Sequence, residues 1–224
     1  MTTARDTRTA DLVGITLAHR VMRVDLHRLA DAARAIADGA PCPDRRARAL
    51  RTWLEQLEHE IHGHHTAEDD IAWPVIARHA GHAVDLDELS DDHGRLDPLL
   101  VAVREAAAAV VAAAQGLARA RAAGVLADRL AVVRDEIDEH LDAEERDLFP
   151  VIERHVPADD WDAVVAQVQK SGPGLRFMLP RIVAVTTPQE WAGMRREAGP
   201  VVVLLERLLR GGYRRRCALV FGTS

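Results

Sequence analysis

Two short segments of the sequence repeat a histidine and a glutamate four residues apart. They are His64-x-x-x-Glu68 and His140-x-x-x-Glu144, the second lying 76 positions after the first. The copy continues beyond the pair, with Pro74 recurring as Pro150 and His79 as His155. Four residues are about one helical turn, so each pair places an imidazole and a carboxylate on one face of a helix. Two such faces turned toward each other offer ligands for two metal ions.

The flanking sequence supplies the helices that must position them. Leu12, Ile15, His19, Met22, Leu26, Leu29, Ala33 and Ile36 recur in steps of three and four, the spacing of an amphipathic helix. Pro41-Cys42-Pro43 ends this helix, and Asp44 is placed to cap the next. A second stripe runs Leu50, Leu54, Leu57, Ile61, His64, Glu68, Ile71, Val75, up to the break at Gly81. The third is Leu86, Leu89, His93, Leu96, Leu100, Val103, Ala107, Val110, and the fourth Leu126, Leu130, Val133, Ile137, His140, Glu144, Leu148, Val151. Pro98 should kink the third helix or free a carbonyl one turn before it, and Pro74 and Pro150 should bend or end the second and fourth.

Four long amphipathic helices with short connections predict an all-α fold, an antiparallel up-down-up-down four-helix bundle over residues 8–156. A helical extension is expected over residues 157–224, with starts at Ala158-Asp159-Asp160-Trp161 and at Thr187-Pro188-Gln189-Glu190. Every bundle stripe carries a histidine, and two carry a glutamate. Burying such groups without partners is costly, so their shared position on core stripes points to a common ligand. Hairpin arithmetic agrees. His19 and His64 are equidistant from Pro41 and Cys42, His64 and His93 from a point beside His79, and His93 and His140 from the vicinity of Gly116. All four imidazoles are expected in one layer, each glutamate roughly 6 Å along the axis from its own histidine.

Composition narrows the function classes. A hydrophobic content of 48% suffices for a large core, and a net charge of −6 gives no general reason to expect nucleic-acid binding. The longest wholly apolar run, Ala106 to Ala114, is far shorter than the roughly 20 residues of a membrane span. Met1-Thr2-Thr3-Ala4-Arg5-Asp6 lacks the apolar core of a signal peptide, and Cys42 and Cys217 make no disulfide framework. A cytoplasmic location is the expectation.

The segments His19-Arg20, His64-x-x-x-Glu68 with Trp73-Pro74, Asp92-His93, and His140-x-x-x-Glu144 with Leu148-Phe149-Pro150 resemble the haemerythrin family, in its HHE cation-binding branch of bacterial type. The likeness covers about residues 10–155. Trp161, Leu179-Pro180, Thr187-Pro188 and Tyr213 are similar, less specifically, to the C-terminal extension of a bacterial subgroup. The resemblance implies two iron ions bridged by the two carboxylates and an oxo or hydroxo group. His19, His64, Glu68, His93, His140 and Glu144 are then the metal ligands. Carboxylate-rich octahedral sites suit iron or manganese better than tetrahedral zinc.

One departure matters. Animal haemerythrins carry a fifth histidine one turn after the third-helix ligand, where this chain has Asp97. Two octahedral ions have about twelve positions, and four histidines, two bridging carboxylates and one bridging oxygen leave about two open. Asp97 or His65 could fill one. His65 follows a ligand but is rotated by about 100°, so it reads as a flanking group. The implied function is binding of oxygen or a related small molecule, peroxide or nitric oxide, for sensing, storage or scavenging. The open positions favour a peroxide-decomposing variant. An iron-responsive module acting through a protein partner is the alternative from another class, resting on the basic Arg207, Arg210, Arg214, Arg215 and Arg216. The tail is expected either to cover the bundle or to make a homodimer contact.

His27, His59 and His62 lie off the stripes and read as surface groups, while His79 and His155 sit near helix ends, where a cation is favoured. Trp73 and Phe149 occupy matched positions and read as core packing. Asp69, Asp70, Glu145 and Asp147 read as a solvated acidic face.

Overall fold

The computed structural model describes residues 8–81, 83–171 and 174–222; the N-terminal stretch Met1–Asp6 lies outside them. The fold is all-helical, a bundle with a C-terminal helical extension, and no strand occurs among the described residues. The bundle is built from α1 (Val13–Ala37), α2 (Asp44–Ala67) continued by α3 (Trp73–Ala80), α4 (Leu86–Ala112), and α5 (Leu117–Ala143) continued by α6 (Phe149–His155). The extension is α7 (Ala158–Ser171), α8 (Leu175–Val185) and α9 (Pro188–Phe221). No helix of the described residues is long and apolar enough to cross a membrane.

Helix starts follow local chemistry. Asp85 caps α4 by accepting from the Glu88 amide, and Thr187 with Glu190 forms a reciprocal capping box ahead of α9. Asp44 does not cap α2. Pro43 takes that position and Asp44, at the first helical residue, pairs instead with Arg119 at 2.8 Å. A carboxylate in the first turn is also favoured by the helix dipole. Pro98 does not interrupt α4, which continues to Ala112.

The second and fourth helices depart from simple α geometry at the same repeat position. Glu68–Ala72 and Glu144–Leu148 are π turns, closed by bonds from the Trp73 amide to the Glu68 carbonyl and from the Phe149 amide to the Glu144 carbonyl. In each, a proline follows one residue later. It lacks an amide for the carbonyl four residues back and would crowd it in an α-helix, a conflict that a widened turn relieves. The extra residue shifts the register. The sequence stripes place Ile71, Val75 and Val151 inside, whereas Ala72, Ile76 and Ile152 are the buried positions and the other three are half-buried.

Around the bundle α1 lies along α5, α5 along α4 and α4 along α2, while α1 and α2 touch each other little. The extension enters between these last two, α8 against α1 and α9 against both. Phe177 and Val220 join the same apolar core as Leu26, Trp53 and Leu57. Arg181 of α8, 1% exposed, bonds Asp25 of α1 at 2.8 Å and Glu60 of α2, and Trp53 donates to the same Asp25 at 2.6 Å. Burial pushes Glu60 up to about 7, opposed by the Arg181 charge. The guanidinium also stacks 4.0 Å over Phe177. Arg216, at the basic end of α9, lies over Trp53 rather than serving only as a solvated charge.

Removing one partner of a buried ion pair leaves uncompensated charge. Arg181→Ala should therefore destabilise the protein by about 3–5 kcal/mol. Urea denaturation of the two proteins checks this, and a loss below about 1 kcal/mol would show that the tail is not held by this network.

Candidate metal centre

The paired histidine and glutamate of each repeat meet in the middle of the bundle. His19 of α1, His93 of α4, and His140 of α5 with Glu144 are buried, as is Glu68, while the His64 side chain keeps 13% exposure. The layer expected from hairpin arithmetic is present as a ring of close imidazoles, with centroids 5.0 Å apart for His19 and His64 and 4.9 Å for His93 and His140.

Each carboxylate faces two ways. Glu68 Oε1 lies 3.1 Å from His64 Nε2 while its Oε2 lies 3.6 Å from His93 Nε2. Glu144 Oε2 is 3.4 Å from His19 Nε2, and its Oε1 is 3.4 Å from His140 Nε2. Two groups of ligand atoms result: His19, His64, Glu68 and Glu144, and His65, Glu68, His93 and His140. Within each group the donor atoms lie within 4.8 Å of one another.

None of these inward atoms has a hydrogen-bond partner among the described residues. They are Nε2 of His19, His64, His65, His93 and His140 and both oxygens of Glu68 and Glu144. Orphaned buried polar atoms are rare because each forfeits its solvation, so their convergence is the strongest sign of an ion between them. Nitrogen and carboxylate donors together fit a divalent transition metal.

The outer ring nitrogens explain why the inner ones point inward. His93 Nδ1 pairs with Asp69 Oδ2 at 3.0 Å, and Asp69 in turn accepts from Ser90 Oγ at 2.6 Å. His19 Nδ1 pairs with Glu145 Oε1 at 2.9 Å. A carboxylate holding the proton on Nδ1 leaves the Nε2 lone pair free for a metal. Asp69 and Glu145 are thus not members of a solvated acidic face. The duplication contained the signal: Glu68 and Glu144 are each followed by an acid, Asp69 and Glu145, at the same repeat position. Asp92 approaches His140 Nδ1 at 3.7 Å.

The aromatics at matched positions pack against ligand rings. Trp73 stacks on His93 at 6.3 Å and Phe149 lies 5.6 Å from His19. The other expected surface groups stay outside. His27 is exposed and paired with Asp138, His62 and Asp97 are exposed neighbours, and His79 pairs with Asp160 at 2.7 Å. Asp97 therefore does not reach the centre. His65 does, with 5% exposure and its ring stacked 4.1 Å from that of His93.

Electrostatics set the protonation of the cluster. Burial, then the Glu144 and Asp69 charges, raises Glu68 well above the ordinary carboxyl range, and burial followed by Glu145 and Asp92 raises Glu144 to about 8. Burial lowers His19, His64 and His140, the last to about 4, reinforced for His64 and His140 by neighbouring imidazoles. Burial thus favours the protonated form of Glu68 and Glu144 and the unprotonated ring of His19, His64 and His140.

Comparison with known proteins agrees with this geometry. A family model described as the hemerythrin HHE cation binding domain matches residues 12–152. No curated protein and no solved structure matches the chain. With well over half of its length covered, from the residue before α1 into α6, the chain belongs to the hemerythrin HHE cation-binding family.

Proposed function

We propose that this protein is a non-haem di-iron protein that binds oxygen or a related small molecule, peroxide or nitric oxide, for sensing, storage or scavenging. The observation that carries the reading is the two-sided placement of Glu68 and Glu144, each with one oxygen toward either group of imidazoles. His19, His64, Glu68, His93, His140 and Glu144 would hold two irons with an oxo or hydroxo bridge. Iron bound there supplies a redox-active Lewis acid for a small ligand. The chain's own residues do the rest. Asp69 and Glu145 hold imidazole protons outward, Trp73 and Phe149 exclude water beside the rings, and His64 is the ligand with most solvent exposure. Burial this complete supports a ligand of few atoms.

Protein loaded with ferrous iron should contain two ions per chain, and its optical spectrum should change on adding oxygen or peroxide. Absence of iron after loading refutes the reading, whereas rapid gas release from peroxide would select the peroxide-decomposing variant. Glu144→Ala removes the carboxylate that faces both His19 and His140 and should lower the count to one ion or none; an unchanged count would show that the repeat does not ligate.

Metal entry requires Glu68 and Glu144 as carboxylates, whereas burial favours the protonated form of both. Binding must therefore release protons, and affinity should rise with pH through about 8, the value to which Glu144 is raised. Calorimetric titration at pH 6.5 in two buffers of different ionisation enthalpy should show release of about two protons per chain. Equal heats in both buffers would contradict the protonation scheme.

A further inference from the structure

We propose that His65 is itself a metal ligand and that it makes the two ions of the centre unequal. The inference rests on the two-ion reading above and concerns a residue that the helical period alone assigns to the flank. On a helix advancing about 100° per residue, Glu68 lies about 40° to one side of His64 and about 60° to the other side of His65. Glu68 thus falls between the two adjacent imidazoles. A carboxylate placed there can face one oxygen toward each ring, and the structure divides them in this way, with His64 in the group of His19 and His65 in the group of His93 and His140.

Packing alone does not account for His65. Its ring lies parallel to that of His93, 4.1 Å away with a 3° interplanar angle, and 5.2 Å from His140. A histidine serving only as a stacking surface would use its buried nitrogen on a neighbour, but Nε2 of His65 has no partner among the described residues. The duplication provides the control. The residue one repeat later is Leu141, fully buried and part of the apolar core. The fold therefore accepts an aliphatic side chain at this position, and the imidazole at residue 65 breaks an otherwise paired arrangement.

The consequence is a count. One ion receives nitrogens from His65, His93 and His140, and the other from His19 and His64 alone. Two bridging carboxylates and one bridging oxygen then fill about six positions on the first ion and about five on the second. The open position belongs to the ion beside His19 and His64, on the side of the most exposed ligand ring.

The test uses His65→Leu, which copies the second repeat, and His65→Asn as a polar second variant. Protein labelled with nitrogen-15 histidine and loaded with cobalt(II) is examined by paramagnetic NMR, where coordinated imidazole N–H protons shift strongly. Both variants should lose one shifted resonance while retaining the others. In the ferric proteins azide should bind once per wild-type chain and twice in His65→Leu. The same set of shifted resonances in wild type and in whichever variants fold would overturn ligation by His65 and leave the two-ion reading standing. Two azides on the wild type would overturn the unequal count. Fewer than two cobalt ions per wild-type chain would instead overturn the two-ion reading itself.

Discussion

The structure depends on one constraint: a layer of polar side chains must sit inside an apolar bundle without internal hydrogen bonds for its inward atoms. Five imidazoles and two carboxylates meet there. Desolvation of an ionised group in such a layer is prohibitive, and the shifts of Glu68, Glu144 and the rings follow from it. Favouring neutral carboxyls and neutral rings lets such a layer be buried without isolated charges. The outer nitrogens of His93 and His19 are held by Asp69 and Glu145, which leaves the Nε2 atoms of these rings aimed at the centre. Apolar packing above the layer, by Met22, Leu57, Leu100 and Ile137, holds the four helices in register around it.

The π turns belong to the same constraint. An α-helix that continued straight past Glu68 would carry Val75 inward, and the proline at position 74 would crowd the preceding turn. One added residue in each repeat resolves the clash and turns Trp73 and Ile76 inward below the site. That both repeats do this at the residue that supplies the carboxylate ties the ligand position to the helix distortion. π turns recur at functional sites because they reorient side chains at little cost in hydrogen bonds.

Much of this was legible because period and duplication are strong signals. The stripes identified His19, His64, His93 and His140 as interior, and the repeat paired two of them with glutamates. The features that escaped have identifiable physical causes. Strict 3.6-residue counting cannot anticipate an inserted residue, so Ile71, Val75 and Val151 were placed one step off. The same counting treats a residue about 100° from His64 as outside, although an imidazole at the helix edge can reach across such an arc to His93 and His140. That is how His65 reads as a flanking group. Asp69 and Glu145 look like solvent-facing acids because charge alone does not reveal a histidine on another helix. Arg181, Asp25 and Glu60 lie far apart in sequence, and nothing local marks them as one buried network.

That network gives the C-terminal extension a role in the centre's rigidity. His19 and His64 stand on α1 and α2, the neighbouring bundle helices with little direct contact. Ligands on two loosely packed helices would drift, because metal geometry tolerates errors of only a few tenths of an ångström. The extension supplies the missing packing. Arg181 bonds to Asp25 of α1 and Glu60 of α2, one turn before His64, while Arg20, next to His19, is gripped by Glu190 at 2.9 and 3.1 Å and by the Val185 carbonyl. The rings His93 and His140, by contrast, stand on α4 and α5, which pack directly along their length. The side of the centre with fewer imidazoles is therefore the side that the tail braces. His19 and His64 can keep their mutual geometry only if the helices that carry them are held from elsewhere.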